Sequence, residues 1–544
     1  MNKIDGISYE GLAKWIQGKV TKRDKQAFFS SLICSAFGYF YFATNFIPNN
    51  DGLTKLYWTD SVTFTSGRWS QAFLSSIGSG IYSPFFLAVV AFVALALITV
   101  LIVRVFDVRR FFAVFSIAAI LSLNPSTVST VPYLYMLDGF FIGLLLGVIG
   151  VYLTERYKYG VLIGIVLLSV SMGEYQMFLC FVIAFFAVRL IQVIIQGQAN
   201  NKQVLFFGLK YTALILGGLI LYLIINKIVL SQMNLSLTSY RGLDKMGQID
   251  MSHIIRGILS AYEEFFPYIV EINSLFCGGF VAFGAVCTLI VSLVLGIWLL
   301  FSRKMQYKFQ LVVFFLVLLC LPVLLDSIFL TGVENATLAM RYPMCFVYIL
   351  GIMMIEESAK DYPAPQENVT NEKRTRTRDA KALFISLSTW AVLFSTILLC
   401  FSWGVVANES ATIIEIKNRN GYALCLRIVD RIEQFPDFSA SSTPVTVIGK
   451  ISPQNSNYPD TKGYFSKYKE ITGISSPEDY SYLYADYQYF YYINNFIGLR
   501  YINAGYDVNT IRKTNAFQNM PCFPEEGALQ MIDGVLVVKM AEEK

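Results

Sequence analysis

Between Ile47 and Phe73 the sequence packs four charged residues, Asp51, Lys55, Asp60 and Arg68, beside two tryptophans, Trp58 and Trp69. A carboxylate partly shielded from water is equipped to take a proton from a hydroxyl group. A guanidinium offers a fixed fork for phosphate oxygens. An indole face stacks on a sugar ring or anchors at a membrane surface. Together these types describe a site for a phosphorylated sugar. Asp51 follows Asn49-Asn50 and precedes Gly52, so it reads either as a general base or as the cap of a turn. Asp60 carries the same two readings. In Ser66-Gly67-Arg68-Trp69, the glycine permits a close backbone approach and the arginine stands ready for a phosphate. Lys55 is a second cation of the same loop.

Further candidates come from more distant segments. Arg341 begins an apolar run and reads either as another phosphate ligand or as a cation snorkelling at the interface. Asp138, and Glu174 within Gly173-Glu174-Tyr175-Gln176, are further carboxylates. Each reads as a catalytic group or as the cap of a buried helix end. The single histidine, His253, has no partner motif. Nothing resembles a metal-ligand cluster or a glycine-rich nucleotide loop, so no cofactor and no metal are expected.

The elements that must position these residues are membrane helices. The hydrophobic fraction is 55% and charged residues make up only 15%, and apolar runs of about 20 residues, the length that crosses a bilayer, recur along the chain. A polytopic α-helical membrane protein is expected, with about eleven transmembrane helices. The first apolar run, Ala27 to Phe46, is long enough to stay as a span rather than be cleaved. Two runs, Phe111 to Leu123 and Val161 to Met172, are short; they read as hairpins whose polar tips, Asp138 and Glu174 among them, sink below the outer surface. Lys14, Lys19 and Arg23, Arg104 to Arg110, Arg303 and Lys304, and Lys373 to Arg378 then all fall on one side. By the positive-inside rule that side is cytoplasmic, with the N-terminus inside and the C-terminus outside. The net charge of +5 is spread over helix ends, which speaks for topology and against nucleic acid.

Residues 1–406 are expected to form the transmembrane domain, with its catalytic outer loop at 47–83, and residues 407–544 a small extracytoplasmic α/β domain. Its signals are a helical period from Ile413 to Ile432, apolar strands at 443–448 and 535–540, and a Tyr-rich stretch from Tyr480 to Tyr501 that reads as helical. Of nine cysteines, only Cys425 and Cys522 lie in this polar part and could pair.

An acidic outer loop after the first helix, a following Ser66-Gly67-Arg68-Trp69, and Gly173-Glu174-Tyr175-Gln176 after a short hairpin resemble the bacterial glucosyltransferase II membrane family, which includes serotype-converting O-antigen glucosyltransferases. The resemblance covers about residues 27–405. It departs in one place, because the family carries adjacent acids where this chain has Asn50-Asp51. The resemblance implies a GT-C type fold and a polyprenyl-phosphate sugar donor. It implies transfer of a hexose such as glucose, on the outer face of the bacterial cytoplasmic membrane, to O-antigen, teichoic acid or capsule. The residues carried into that scheme are Asp51, Glu174 or Asp60 as base, and Arg68, Lys55 and Arg341 at the donor phosphate. Trp69, Trp58, Asp138, Tyr175 and Gln176 would face the sugars, and inversion without a metal is expected. Two other classes compete: a lipid-linked glycan flippase or transporter, and a membrane O-acyltransferase, which would need a histidine base such as His253.

Overall fold

The computed structural model describes residues 11, 17–54, 61–74, 81–238, 251–274, 278–303, 307–331, 336–361, 376–451, 465–471, 473–474, 476, 479–483, 485–503 and 508–541. Among these, nine helices are long and apolar enough to cross a membrane: Lys22–Thr44, Pro84–Val105, Phe111–Thr130, Leu134–Arg156, Phe178–Gln196, Asn201–Gln232, Gly279–Ser302, Tyr342–Asp361 and Lys381–Glu433. Two shorter apolar helices, Gly160–Glu174 and Lys308–Leu319, lie at the two remaining expected segments. The chain is a multi-pass helical membrane protein.

Local chemistry sets where these helices start and bend. Thr21 and Asp24 form a reciprocal capping box that opens the first span. Pro84 opens the second at a position whose N–H would have no intrahelical partner. The run from Phe111 does not stop at Leu123. Asn124 accepts hydrogen bonds from the N–H groups of Ser126 and Thr127, and the helix resumes at Pro125. The proline bends the rod without ending it, so this segment reaches span length. The second short run remains short, and Glu174 is its last residue.

Side-chain exposure sorts the helices. Every residue of the apolar window in Tyr342–Asp361 is buried, which makes this span the axle of the bundle. On the outside, Leu383, Leu387, Trp390, Phe394, Ile397 and Phe401 are exposed at steps of three and four, the stripe of a helix face turned to lipid.

Two parts of the architecture do not follow from the apolar runs. Residues 382–406 and 413–432 are not separate helices but parts of one helix of 58 residues, Arg376–Glu433. The polar residues after Val406 are compatible with helix, and they mark a change of solvent rather than an end of structure. The segment between the Asn201–Gln232 and Gly279–Ser302 spans holds a helix, Met251–Pro267. Its Gly257 lies so close to the Phe329 carbonyl that a Cβ would stand 2.4 Å from it.

Beyond Glu433 the chain forms a four-stranded sheet in the order β2-β1-β4-β3. Strand β1 (Pro444–Ile448) pairs in parallel with β2 (Ile502–Asn503) and with β4 (Val535–Lys539). Strand β3 (Leu529–Ile532) turns into β4 as an antiparallel hairpin. Its Asp533-Gly534 turn has positive φ at both residues, as the natural twist of a two-residue hairpin requires. The Tyr-rich stretch is helical only from Asp486 to Tyr492, followed by a π-turn over Ile493–Ile497. Cys425 and Cys522 form no disulfide.

This C-terminal part seats the loop after the first span. Asn418 donates to the Pro48 carbonyl (2.8 Å), Gln488 donates to the Asn50 carboxamide, and Phe46 packs on Phe496.

Candidate active site

The core of the site is a clamp around residues 63–74. Gly67 takes a left-handed conformation, φ +71°, which glycine adopts without steric cost. Its carbonyl accepts from the Tyr222 hydroxyl (2.9 Å). The Gln176 carboxamide donates to the Ser66 carbonyl (2.8 Å) and to Tyr222 Oη (3.1 Å). Ser70 joins the loop to the short hairpin: its N–H donates to the Gly173 carbonyl (3.0 Å) and its hydroxyl to the Val170 carbonyl (2.8 Å). Trp69 lies against Gly173, where any Cβ would meet the indole at 2.5 Å. The motif Ser66-Gly67-Arg68-Trp69 is thus locked to Gly173-Glu174-Tyr175-Gln176, a segment far away in the chain.

The clamp presents Arg68. Its guanidinium stacks over the Tyr175 ring at 4.5 Å, a cation–π contact that holds the charge without neutralising it, and its Nε carries no hydrogen bond among the described residues. Glu174 lies within its electrostatic reach, and Asp138 lies within reach of Glu174. Both residues are only 1% exposed, and no hydrogen bond of good geometry from the described residues reaches their carboxyl oxygens. Two helix ends treat them differently. Asp138 sits in the first turn of Leu137–Arg156, where the helix dipole favours negative charge. Glu174 ends Gly160–Glu174, where the dipole opposes it. Glu174 therefore depends more on Arg68. It is seated by Gly143, at which a Cβ would stand 2.6 Å from the Glu174 Cγ. Gln71 faces Glu174 and also approaches Met136.

Asp51 is linked to this group through Tyr135. It lies exposed in the first turn of Asn50–Thr54, whose start is capped by Asn49 accepting from the Gly52 N–H (2.8 Å). Gly52 packs against Tyr135, and Tyr135 lies within electrostatic reach of both Asp51 and Arg68. The candidate base and the candidate phosphate ligand thus share one tyrosine neighbour.

Lys55, Trp58 and Asp60 lie outside the described residues. Arg341 is buried in a different constellation. It pairs with Asp326, donates to the Glu264 carbonyl (3.0 Å), and stacks over Tyr268 at 4.7 Å. None of these partners is shared with Arg68. Among the described residues no group of three or more metal-ligating side chains occurs. Tyr222, Tyr135, Gln71 and Gly143 belong to the site and are not candidates in the sequence. Each is an ordinary core residue type, and no motif announces it.

The match to known families decides the class. Residues 40–355, more than half of the chain, match the family Glucosyl transferase GtrII. The chain belongs to the GtrII glucosyl transferase family. No curated protein and no solved structure matches the chain. Membership makes this GtrII protein a glucosyl transferase, with a sugar donor and an acceptor as its substrates. The matched stretch contains Asp51, Arg68, Asp138, Glu174 and Arg341; the long helix and the sheet follow its end.

The clamp makes one effect of this candidate site measurable. Gly67→Ala places a methyl 2.8 Å from the Tyr222 hydroxyl at a positive φ. A left-handed alanine costs about 1–2 kcal/mol before any clash. We expect lower glucosyl transfer together with a lower melting temperature, read by a fluorescence unfolding assay beside the activity assay. Tyr222→Phe removes only the hydroxyl, so it is expected to lower transfer while the melting temperature falls by less than in Gly67→Ala.

Proposed function

We propose that this GtrII protein moves glucose from a polyprenyl-phosphate donor to a cell-surface glycan such as O-antigen, teichoic acid or capsule. The transfer takes place on the outer face of the bacterial cytoplasmic membrane. The observation that carries this reading is the Arg68 guanidinium, held over Tyr175 with its Nε unbonded among the described residues and with the buried Glu174 carboxylate within electrostatic reach. A cation held in that way, in a helical membrane protein, suits a phosphate that enters from lipid.

In the proposed reaction the acceptor hydroxyl gives its proton to Asp51 as its oxygen attacks the anomeric carbon. The bond between that carbon and the phosphate oxygen breaks, and the electron pair leaves with the lipid phosphate. Arg68 stabilises the charge growing on that phosphate. Attack from the face opposite the leaving group inverts the anomeric centre. Glu174 and Asp138 orient Arg68. Lys55, in the same loop, adds a second charge near the phosphate, and Arg341 braces the helix ends around Asp326. The step places all the leaving charge on protein cations and calls on no metal.

The test is turnover by the purified full-length protein in lipid nanodiscs, given polyprenyl-phosphate-glucose and an isolated surface glycan. Released polyprenyl phosphate and glucosylated acceptor are expected in equal amounts, unaffected by a chelator. Movement of the donor across the bilayer without release of polyprenyl phosphate would assign the protein to transport instead.

A further inference from the structure

The end of the bundle remote from Arg68 holds a cavity of about 790 Å³. Two spans fix its distance from the site. Pro84–Val105 begins after the loop that carries Arg68 and ends beside Asp107. Phe178–Gln196 begins beside Tyr175-Gln176 and ends at Gln196. Asp107 and Gln196 both line the cavity, so about 28–33 Å of helix separates the two.

Most charges in this cavity satisfy one another. Arg109 pairs with Asp107 (2.7 Å), Lys360 with Glu357 (2.8 Å), and Arg303 with Asp361 (2.9 Å). Burial pushes the Asp107 carboxyl up, but hydrogen bonds from Arg109 and Arg23 outweigh this and hold it below the usual carboxylate range. Two charged side chains of the cavity have no ion pair among the described residues. Arg110 has no carboxylate partner there, only a long contact to the Ala359 carbonyl (3.5 Å). Glu356 is buried; its Oε1 accepts from the Arg109 N–H (2.8 Å), while its Oε2 meets no donor. A buried carboxylate oxygen without a donor is costly, and such a group in a cavity wall calls for a ligand that brings one.

We propose that this cavity binds the head group of a phosphate ester that carries its own hydrogen-bond donors, ammonium or hydroxyl. The phosphate sits on Arg110 and the donor on Glu356 Oε2. A bare anion leaves Glu356 unmet, and a bare cation leaves Arg110 unmet; a head group bearing both satisfies both. Basic pockets between helix ends are where lipid head groups are held in other membrane proteins. Two sources carry this chemistry, a membrane phospholipid such as phosphatidylethanolamine and a glycosyl phosphate. The binding is separate from sugar transfer at the other end of the bundle.

The test uses full-length protein, delipidated in a non-phosphate detergent, titrated with dihexanoylphosphatidylethanolamine and with glucose 1-phosphate. Wild type, Arg110→Ala and Glu356→Gln are compared, with size-exclusion profiles to confirm folding. Arg110 is exposed, and the carboxamide introduced by Glu356→Gln keeps an acceptor for the Arg109 N–H, so both variants are expected to fold. Wild type is expected to bind at least one probe, and the two variants to bind it about tenfold or more weakly. The probe that shows this loss identifies the source. No binding of either probe to wild type, or equal binding by all three proteins, would overturn the proposal.

Discussion

Asp51→Asn is expected to leave the protein folded and able to bind donor, yet to lower turnover by about 10²–10⁴, the usual contribution of a positioned general base. The substitution is nearly isosteric. Asp51 is exposed, and the cap of its short helix is made by Asn49, so the fold has little reason to notice the change. The carboxylate charge and its proton-accepting capacity are lost. The measurement is kcat and KM for both substrates, with thermal unfolding as a control. A low kcat with an unchanged donor KM supports the assignment. Retained turnover would move the base to Glu174 or Asp60, and Glu174→Gln is then the next variant to assay.

Arg68→Ala is expected to cost about 10²–10³ in kcat, the size seen when one preorganised donor to a developing anion is removed. The signature differs from that of Asp51→Asn. Arg68 also compensates Glu174, which is 1% exposed and lies within reach of Asp138, so its loss leaves a buried acid without this cation. A buried carboxylate that loses its nearby cation keeps its desolvation cost with less to offset it. Arg68→Ala should therefore lose stability as well as activity, whereas Arg68→Lys should recover much of the stability and little of the rate. Lysine restores the charge but not the fork that grips two phosphate oxygens. If Arg68→Lys turned over at the wild-type rate, a bidentate phosphate contact would not be part of the reaction.

Much of the fold is legible in the sequence because a lipid-crossing helix has a blunt signal. Apolar runs locate the spans, and Asn124-Pro125 is visible as a break. What cannot be read is that this break is a bend, because its outcome depends on Asn124 capping the resumed helix. The helix over Met251–Pro267 escapes for a different reason. Its apolar residues, Met251, Ile255, Leu259 and Phe266 among them, are spaced along one exposed face and never form a run. The helix through Val406 looks like two because a drop in hydropathy resembles a helix end, although the backbone continues unbroken.

The site divides in the same way. Arg68, Glu174, Asp138, Tyr175 and Gln176 stand out by residue type, since a charge or amide among apolar runs is conspicuous. Their meeting does not. The bond from Tyr222 to the Gly67 carbonyl joins residues 155 positions apart, and nothing in either segment signals the other. Arg341 shows the converse limit: a conspicuous cation whose partners, Asp326 and Glu264, are settled only by packing.

The helix Arg376–Glu433 has a mechanical consequence. At 1.5 Å per residue, its 58 residues make a rod about 87 Å long. One part of the rod faces lipid at Leu383 to Phe401, and another grips the Pro48 carbonyl through Asn418. A rod without a joint converts tilt into displacement. A bilayer that thins and leans the rod by about 5° swings its far end by roughly 8 Å. Because Asn418 rides on this rod, a change in its tilt moves the seat of the loop that carries Asp51.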